Sequence, residues 1–464
     1  MQNRVAAVLA RLDSLPLSRY VVGLVVLLAL GGAFEIYDIA LTGLLVPGLL
    51  RDDIFFRDGR GMFGFDDQAA FAAATFAGLW VGTAFVAAVA DRIGRKRTFV
   101  AGMLWYSFFG VLMATQTSPA AIDLMRFLAG IGIGVQLVTL DTYISELAPP
   151  AARGKLFAIS QSVQYVGVPV AGILCILFLP RDPAGIAGWR WVAALPAVGV
   201  LLALWILRVV PESPRWLAAR GRVDEAAAIL DDLAKHAGAA TAPVPVVEAA
   251  SAPPLAPLTP AARGTLAEIF RPPLRRRTIM LIVYNVFQAV GYFGFVNWVP
   301  TLLVAQGVDV TKSLVYTAVI ALVYPLCPLL FIAFADRVER KTQLVAACIA
   351  MALLGIAFGH QTGGTAIIVL GALITLSGAL LSYAGHAYQA ELFPTDVRSR
   401  AVGFVYSFSR LSTIAGSFVI AATLRGAGPN GVFAVIAGCM LVVAVTVGVF
   451  GPRTRGRALD AAGA

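Results

Sequence analysis

The chain carries twelve apolar runs that reach or approach the roughly 20 residues needed to cross a hydrocarbon core, and they decide most of what it can fold into. They lie at about 20–48, 68–90, 98–117, 120–145, 155–179, 189–210, 278–304, 313–335, 343–360, 365–390, 399–424 and 430–451. Backbone polar groups in lipid must be satisfied within the segment, and these runs are far longer than barrel strands, so only helices fit. The background agrees, with 59% hydrophobic and 13% charged residues over 464 positions and a mean hydropathy of +0.82. The reading is an all-α polytopic membrane protein with twelve transmembrane helices and a lipid bilayer as its surroundings.

Two charged patterns repeat at one spacing. Glu146, Pro149 and Arg153 of ELAPPAAR return as Glu391, Pro394 and Arg398 of ELFPTDVR, an offset of 245 residues (391 − 146). The turn from Asp91, DRIGRK, returns from Asp336 as DRVERK at the same 245 (336 − 91). A shared fixed offset implies duplicated halves, six spans in each. The expected division is a 1–19 arm, a bundle over 20–211, a linker over 212–277, a second bundle over 278–451 and a 452–464 tail.

Basic residues set the orientation. Both termini and the turns after spans 2, 4, 6, 8 and 10 together hold 27 Lys and Arg, against 7 in the opposite loops and 2 within spans, Arg126 and Arg410. By the positive-inside rule both termini are expected in the cytoplasm, and the protein in the inner (plasma) membrane. The net charge of +10 then reflects topology, and no nucleic-acid partner is inferred. The four cysteines have no metal-ligand spacing and read as free buried thiols. No catalytic constellation, nucleotide loop or metal cluster is visible, so neither an enzyme nor a cofactor is expected.

In chain order, span 1 holds Glu35 and Asp38, three residues apart and so on one helix face. Span 4 steps through Gly130, Gly132 and Gly134, which lets a helix or a substrate approach closely; Arg126 lies near its outer end and Asp141 near its inner end. Span 5 carries Gln161 and Gln164. In the linker, Val223, Ala226, Ile229, Leu230 and Leu233 give 222–236 the pattern of an amphipathic surface helix, and 238–262 reads as a flexible Ala/Pro-rich stretch. Span 7 contains Asn285 and Gln288, span 10 His386 and Tyr388. Arg410 in span 11 is twelve residues past Arg398, about 18 Å deep.

The Asp91 turn and its echo, the R-x3-G-x-G-x-G of span 4, the E-x2-P-x3-R-G turn and PESPRWL (Pro211 to Leu217) together resemble the major facilitator superfamily, its sugar-porter and metabolite-symporter branches. The resemblance covers nearly the whole chain. It implies two six-helix bundles around a central cavity, with transport by rocking of the halves about a midplane site. Three departures matter for substrate. Asp141 stands where sugar porters place a proline, the span-7 signature is reduced to Gln288 and Gly291, and His386 replaces a tryptophan. Ionisable groups replace neutral ones. Asp38, five residues before Gly43, resembles the aspartate of proton-coupled members that pairs with the span-4 arginine, and the FExYD spacing is similar to proton symporters of organic acids and zwitterions.

An ionisable residue inside a membrane costs roughly 2.5–3.5 kcal/mol on insertion scales, which makes each one a functional candidate. Asp38 with Arg126 is read as a proton-coupling pair, the alternative being a structural ion pair, and Glu35 as a second carboxylate sharing the proton. Arg410 is read as the binder of a substrate carboxylate by its planar fork, or else as the partner of an acidic side chain. His386, Gln161, Gln164, Gln288, Asn285 and Tyr388 complete the substrate-binding candidates, with His386 equally readable as a packing residue. Asp91, Arg92, Arg95, Glu146, Arg153 and their echoes Asp336, Arg337, Glu391 and Arg398 are read as an inner gate. The function expected is proton-coupled symport of a small polar metabolite such as an organic acid, by a monomer. The alternatives are a sugar or polyol porter and a non-transporting membrane sensor.

Overall fold

The computed structural model of the protein describes residues 2–56, 66–149, 152–238, 266–334, 338–394 and 397–454. Three of the first four spans are Arg19–Leu44, Asp67–Ile93 and Pro119–Leu147, and each begins with a side-chain cap: Ser18, Asp66 and Ser118 accept from the backbone N–H of Val21, Ala69 and Ala121. Such caps satisfy amides that a helix leaves open at its start. The remaining span of that set is Arg95–Ala114.

Several later spans are broken rather than straight. The fifth divides at Val166 into Arg153–Tyr165 and Gly167–Phe178. The sixth, from Gly188 to Val209, passes through a tight turn at Leu195–Val198 that carries Pro196. The seventh, Leu274–Val296, resumes as Val299–Ala305. The eighth is interrupted at Tyr324–Leu326, where Pro325 cannot donate to the helical ladder. The ninth and tenth are Arg340–Gly359 and Gly364–Glu391. The helical stretch Arg398–Phe450 is broken by Gly428, at φ 68° and ψ −172°, followed by Pro429. That break separates the eleventh and twelfth spans and completes the twelve-helix fold.

The glycine steps of the fourth span serve packing. A side chain at Gly130 would meet the Thr75 carbonyl at 2.6 Å, and one at Gly134 the Leu79 carbonyl at 2.4 Å, both on the second span. Gly132 faces the third span, against Trp105 and the Gly102 carbonyl. Small residues are what allow membrane helices to meet backbone to backbone, and these three are spent on neighbouring helices rather than on a ligand.

The two halves meet along spans 2 and 11 and along spans 5 and 8. At the face away from the termini spans 1 and 7 join them: a Cβ on Gly43 would lie 2.3 Å from the Asn297 carbonyl oxygen. Thr301 donates to Gln68 at 3.0 Å and Arg425 pairs with Asp66 at 3.5 Å across the same seam. Deeper in, Phe76 and Phe293 stack edge to face at 4.7 Å.

On the terminal face the arm, Gln2–Ser14, buries Val8 and Leu12. It is held to the linker helix Val223–His236 by Arg4–Asp224 at 2.6 Å and Arg11–Asp231 at 2.7 Å, and to Arg215 by Asp13. The linker stretch 239–265 lies outside the described residues.

Candidate functional site

Asp38 and Arg126 are brought together from spans 1 and 4. Arg126 Nη1 donates to Asp38 Oδ2 at 2.8 Å, Nη2 to Thr42 Oγ1 at 2.9 Å and to the Asp38 carbonyl, and Nε to Thr75 Oγ1 at 2.9 Å. The Phe71 ring lies 5.3 Å from the guanidinium carbon. A buried charge is tolerated when paired and hydrogen-bonded, and three spans share that task here. Thr42 and Thr75 were not among the sequence candidates. Thr42 lies one helical turn past Asp38, a spacing visible in the sequence; Thr75 carries no such signal.

Glu35, one turn before Asp38, is fully buried and neither of its oxygens has a hydrogen-bond partner. The Tyr106 hydroxyl and the side-chain amide of Gln136, both buried, are likewise unpartnered. Glu35 acts electrostatically on Tyr106, which has Gln136 beside it. Sequence reasoning missed both, because a neutral polar residue in an apolar helix stands out less than a charge.

From the second half comes Arg410. It is 7% exposed, its Nη2 donates to the Tyr406 hydroxyl at 3.3 Å, and its guanidinium carbon sits 5.3 Å from the Tyr406 ring centre. Its Nε has no partner, and no carboxylate among the described residues lies within ion-pair distance. Its field reaches Glu35 of the first half and His386 of its own. His386 Nδ1 lies 2.7 Å from the Ser382 carbonyl, which can only accept, so Nδ1 carries a proton. That ring is 5.2 Å from Tyr406.

Asp141, on the fourth span at the place His386 takes on the tenth (386 − 141 = 245), is exposed, as His386 is. Its charge reaches Glu35 and Tyr165. Tyr165 and Tyr324 face each other at 5.8 Å across the halves. Tyr292 has its hydroxyl within reach of Tyr324, and Tyr406 acts on both Tyr165 and Tyr292. Electrostatic interactions therefore link Glu35 with Asp141 of its own half and with Arg410 of the other, and Tyr165 with Tyr324, Tyr292 and Tyr406 across the halves.

The neutral candidates divide. Gln161 and Gln288 are half-buried, without a side-chain hydrogen bond among the described residues. Gln164 donates to Ser160 at 2.9 Å and packs over Gly32 of the first span. Asn285 donates to Gln389 at 2.9 Å and to the Leu281 carbonyl at 2.8 Å, tying span 7 to span 10. Tyr388 needs correction. It is 1% exposed and donates to the Pro452 carbonyl at 2.9 Å, so its hydroxyl is taken up by the chain beyond the twelfth span. Its equivalent in the first half, Tyr143 (388 − 143 = 245), donates to the Pro211 carbonyl, so the pair closes the end of each bundle.

At the terminal face the echo extends to contacts. Arg95 pairs with Glu146 at 3.1 Å, and Arg340 with Glu391 at 3.0 Å, both within one half. Glu212 of PESPRWL, to which sequence reasoning assigns no role, accepts from the backbone N–H of Arg95 at 2.9 Å and Lys96 at 3.1 Å. Gly94, at φ 101°, leaves room for it, since a Cβ there would stand 2.4 Å from Glu212 Oε2. The equivalent of Gly94 is Glu339 (339 − 94 = 245), which accepts from the Thr454 N–H at 2.9 Å. The acid has moved to the other side of the joint. Arg92 is exposed, Arg153 is half-buried with an unpartnered Nε, and Arg398 donates to the Phe393 carbonyl at 3.1 Å. The Asp91 side chain, Asp336 and Arg337 lie outside the described residues.

Residues 24–463 match the family described as Sugar (and other) transporter. The chain is 30% identical over 449 residues to YyaJ of Bacillus subtilis (strain 168), named as a metabolite transport protein, covering 96% of both chains. It is 26% identical over 458 residues to the niacin transporter NiaP of Acinetobacter baylyi, covering 98% of this chain and 99% of that one. Among solved structures it resembles the xylose transporter XylE from E. coli in a partially occluded inward-open conformation, with a TM-score of 0.74, 21% identity, and coverage of 95% of this chain and 100% of that one.

Proposed function

Since the chain belongs to the sugar (and other) transporter family of the major facilitator superfamily, and is a multi-pass membrane transporter, we propose that it carries a small organic acid together with a proton by alternating access, with both termini in the cytoplasm. The observation that carries this reading is Arg410, a buried guanidinium with an unpartnered Nε and only a 3.3 Å bond to a neutral phenol. A desolvated guanidinium with no carboxylate in direct contact is costly unless something arrives to pair with it, and a planar fork suits a carboxylate. A hexose offers no charge for it. The 26% identical relative named as a niacin transporter supports the acid reading.

Asp38 and Arg126 supply the coupling. A proton on Asp38 cancels its attraction for Arg126, and pairing with Arg126 favours the ionised acid, so rocking that strains the 2.8 Å contact loads a proton and rocking that restores it releases one. Glu35, one turn away and unpartnered, shares or relays it. The gate is read at the terminal face, where Arg95 pairs with Glu146 and Arg340 with Glu391.

The test is a thermal-shift screen of purified protein over hexoses, polyols, monocarboxylates and dicarboxylates, since a ligand at 100 times its Kd stabilises by about 2.7 kcal/mol. Acids that raise the melting temperature of the wild type but not of Arg410→Gln are expected. Stabilisation by hexoses alone would overturn the acid reading.

A further inference from the structure

On the face away from the termini, the seam between the halves leaves a cavity of about 700 Å³, within the range that suits a small-molecule ligand. It is lined from both sides: Phe55, Asp67 and Gln68 come from the first half, Trp298, Thr301 and Arg425 from the second. Most of its wall is apolar, and its polar groups are incompletely matched. Asp67, 3% exposed, accepts from the Phe56 backbone N–H at 3.0 Å through Oδ2, and its Oδ1 has no partner. Gln68, 8% exposed, accepts from the Thr301 hydroxyl at 3.0 Å through Oε1, and its Nε2 has none. The charges at the wall do not balance either. Arg51 is spent on Asp52 and Asp182, and Arg425 on Asp66. Asp67 and Asp53, also at the wall, have no cation within ion-pair distance among the described residues.

We infer that this cavity is a second ligand site, for an amphipathic organic cation, and that its occupant holds the halves together on this face. The ammonium group pairs with Asp67, and the apolar body lies against Phe55 and Trp298, aromatic rings that attract a cation as well. An anion is rejected, because it would meet an acid that already lacks a counter-ion. Since the wall is built by both halves, the ligand binds while the seam is closed, and a ligand that binds one state better shifts the population toward it. It acts as a brake and is not carried. This rests on the alternating access proposed above and not on the acid substrate, since Arg410 does not line this cavity.

The experiment is a binding titration of the purified protein with three matched probes: 3,3-diphenylpropylamine as the cation, 3,3-diphenylpropan-1-ol as the neutral form and 3,3-diphenylpropanoate as the anion. The amine is expected to bind, with the alcohol and the anion each weaker by about 10-fold or more. Asp67→Asn, which keeps an acceptor for the Phe56 amide, should weaken the amine by a similar factor and leave the alcohol unchanged. Val310→Trp adds bulk at an exposed position of the wall and should weaken amine and alcohol alike. Gly43→Leu, which obstructs the seam without altering a wall residue, should weaken both as well. Equal binding of the three probes, or amine binding indifferent to both Asp67→Asn and Val310→Trp, would overturn the site. So would failure of the amine to bind protein that melts cooperatively. Undiminished amine binding by Gly43→Leu protein whose seam is shown to be parted would overturn the brake. None of these results involves Arg410 or an acid substrate, so the acid reading stands or falls by its own screen.

Discussion

Asp38 and Arg126 form the ion pair with the least exposed side chains among those described, 1% on each side, with 2.8 Å between Oδ2 and Nη1. Three further donations fix the arginine, to Thr42, Thr75 and the Asp38 carbonyl, yet Asp38 Oδ1 remains without a partner. The acid is held by one oxygen and left open at the other, an arrangement from which a proton can be taken up without dismantling the whole cluster.

Asp38→Asn keeps the shape and removes the titratable group. Accumulation driven by a pH gradient should fall to the background of empty vesicles, while counterflow persists, since exchange needs no net proton movement. Both are measured in the same proteoliposomes. Continued uphill accumulation would shift the coupling role to Glu35.

Arg410→Gln separates binding from folding. Because the guanidinium has no acidic partner to strand among the described residues, the variant should melt at or above the wild-type temperature. Substrate affinity should drop by about 10- to 100-fold, the loss of charge-assisted hydrogen bonds worth ~1.5–3 kcal/mol. A large fall in melting temperature would mean that the arginine is structural.

Gly43→Leu sets a side chain against the seam between spans 1 and 7, where its Cβ would stand 2.3 Å from the Asn297 carbonyl oxygen, and backbone cannot yield as a flexible side chain can. The seam should then stay parted. A cysteine introduced at Gln68 on this background should label faster with a membrane-impermeant maleimide than in the Gly43 parent, and transport should fall. Equal labelling would show that the seam closes regardless.

Glu212→Ala leaves the backbone amides of Arg95, Lys96 and Ser213 without their acceptor. A cost of about 1–3 kcal/mol is expected for groups abandoned in a half-buried joint, read as a lower melting temperature in detergent. Glu339→Ala should lower it as well, since that acid accepts from the Thr454 backbone N–H at 2.9 Å and from its hydroxyl at 3.4 Å.

The spans were legible because a run of some 20 apolar residues has few other uses, and the two halves because one offset governed two separate motifs. Asp38, Arg126 and Arg410 were legible because charge in an apolar run is conspicuous. Thr75, Tyr106 and Gln136 were not, because their meaning lies in which way a helix is turned. In a soluble helix that rotation is written in the alternation of apolar and polar faces. In lipid both faces are apolar, and so Tyr388 could be counted among the binding candidates although its hydroxyl donates to the Pro452 carbonyl at the end of its bundle. Breaks at Pro196 and Pro325 carried a signal in the proline itself, whereas the division at Val166 had none at that position.

The exchange of glycine and acid between Gly94 and Glu339 has a practical side. In the first half the closing joint is internal, with Glu212 and Pro211 followed by more chain. In the second half it is built on Pro452 and Thr454, which Tyr388 and Glu339 hold from the bundle. A reporter or purification handle spliced on before residue 454 would therefore cut into the joint itself. One attached beyond it would leave both anchors in place, and the choice of fusion point becomes a structural decision rather than a convenience.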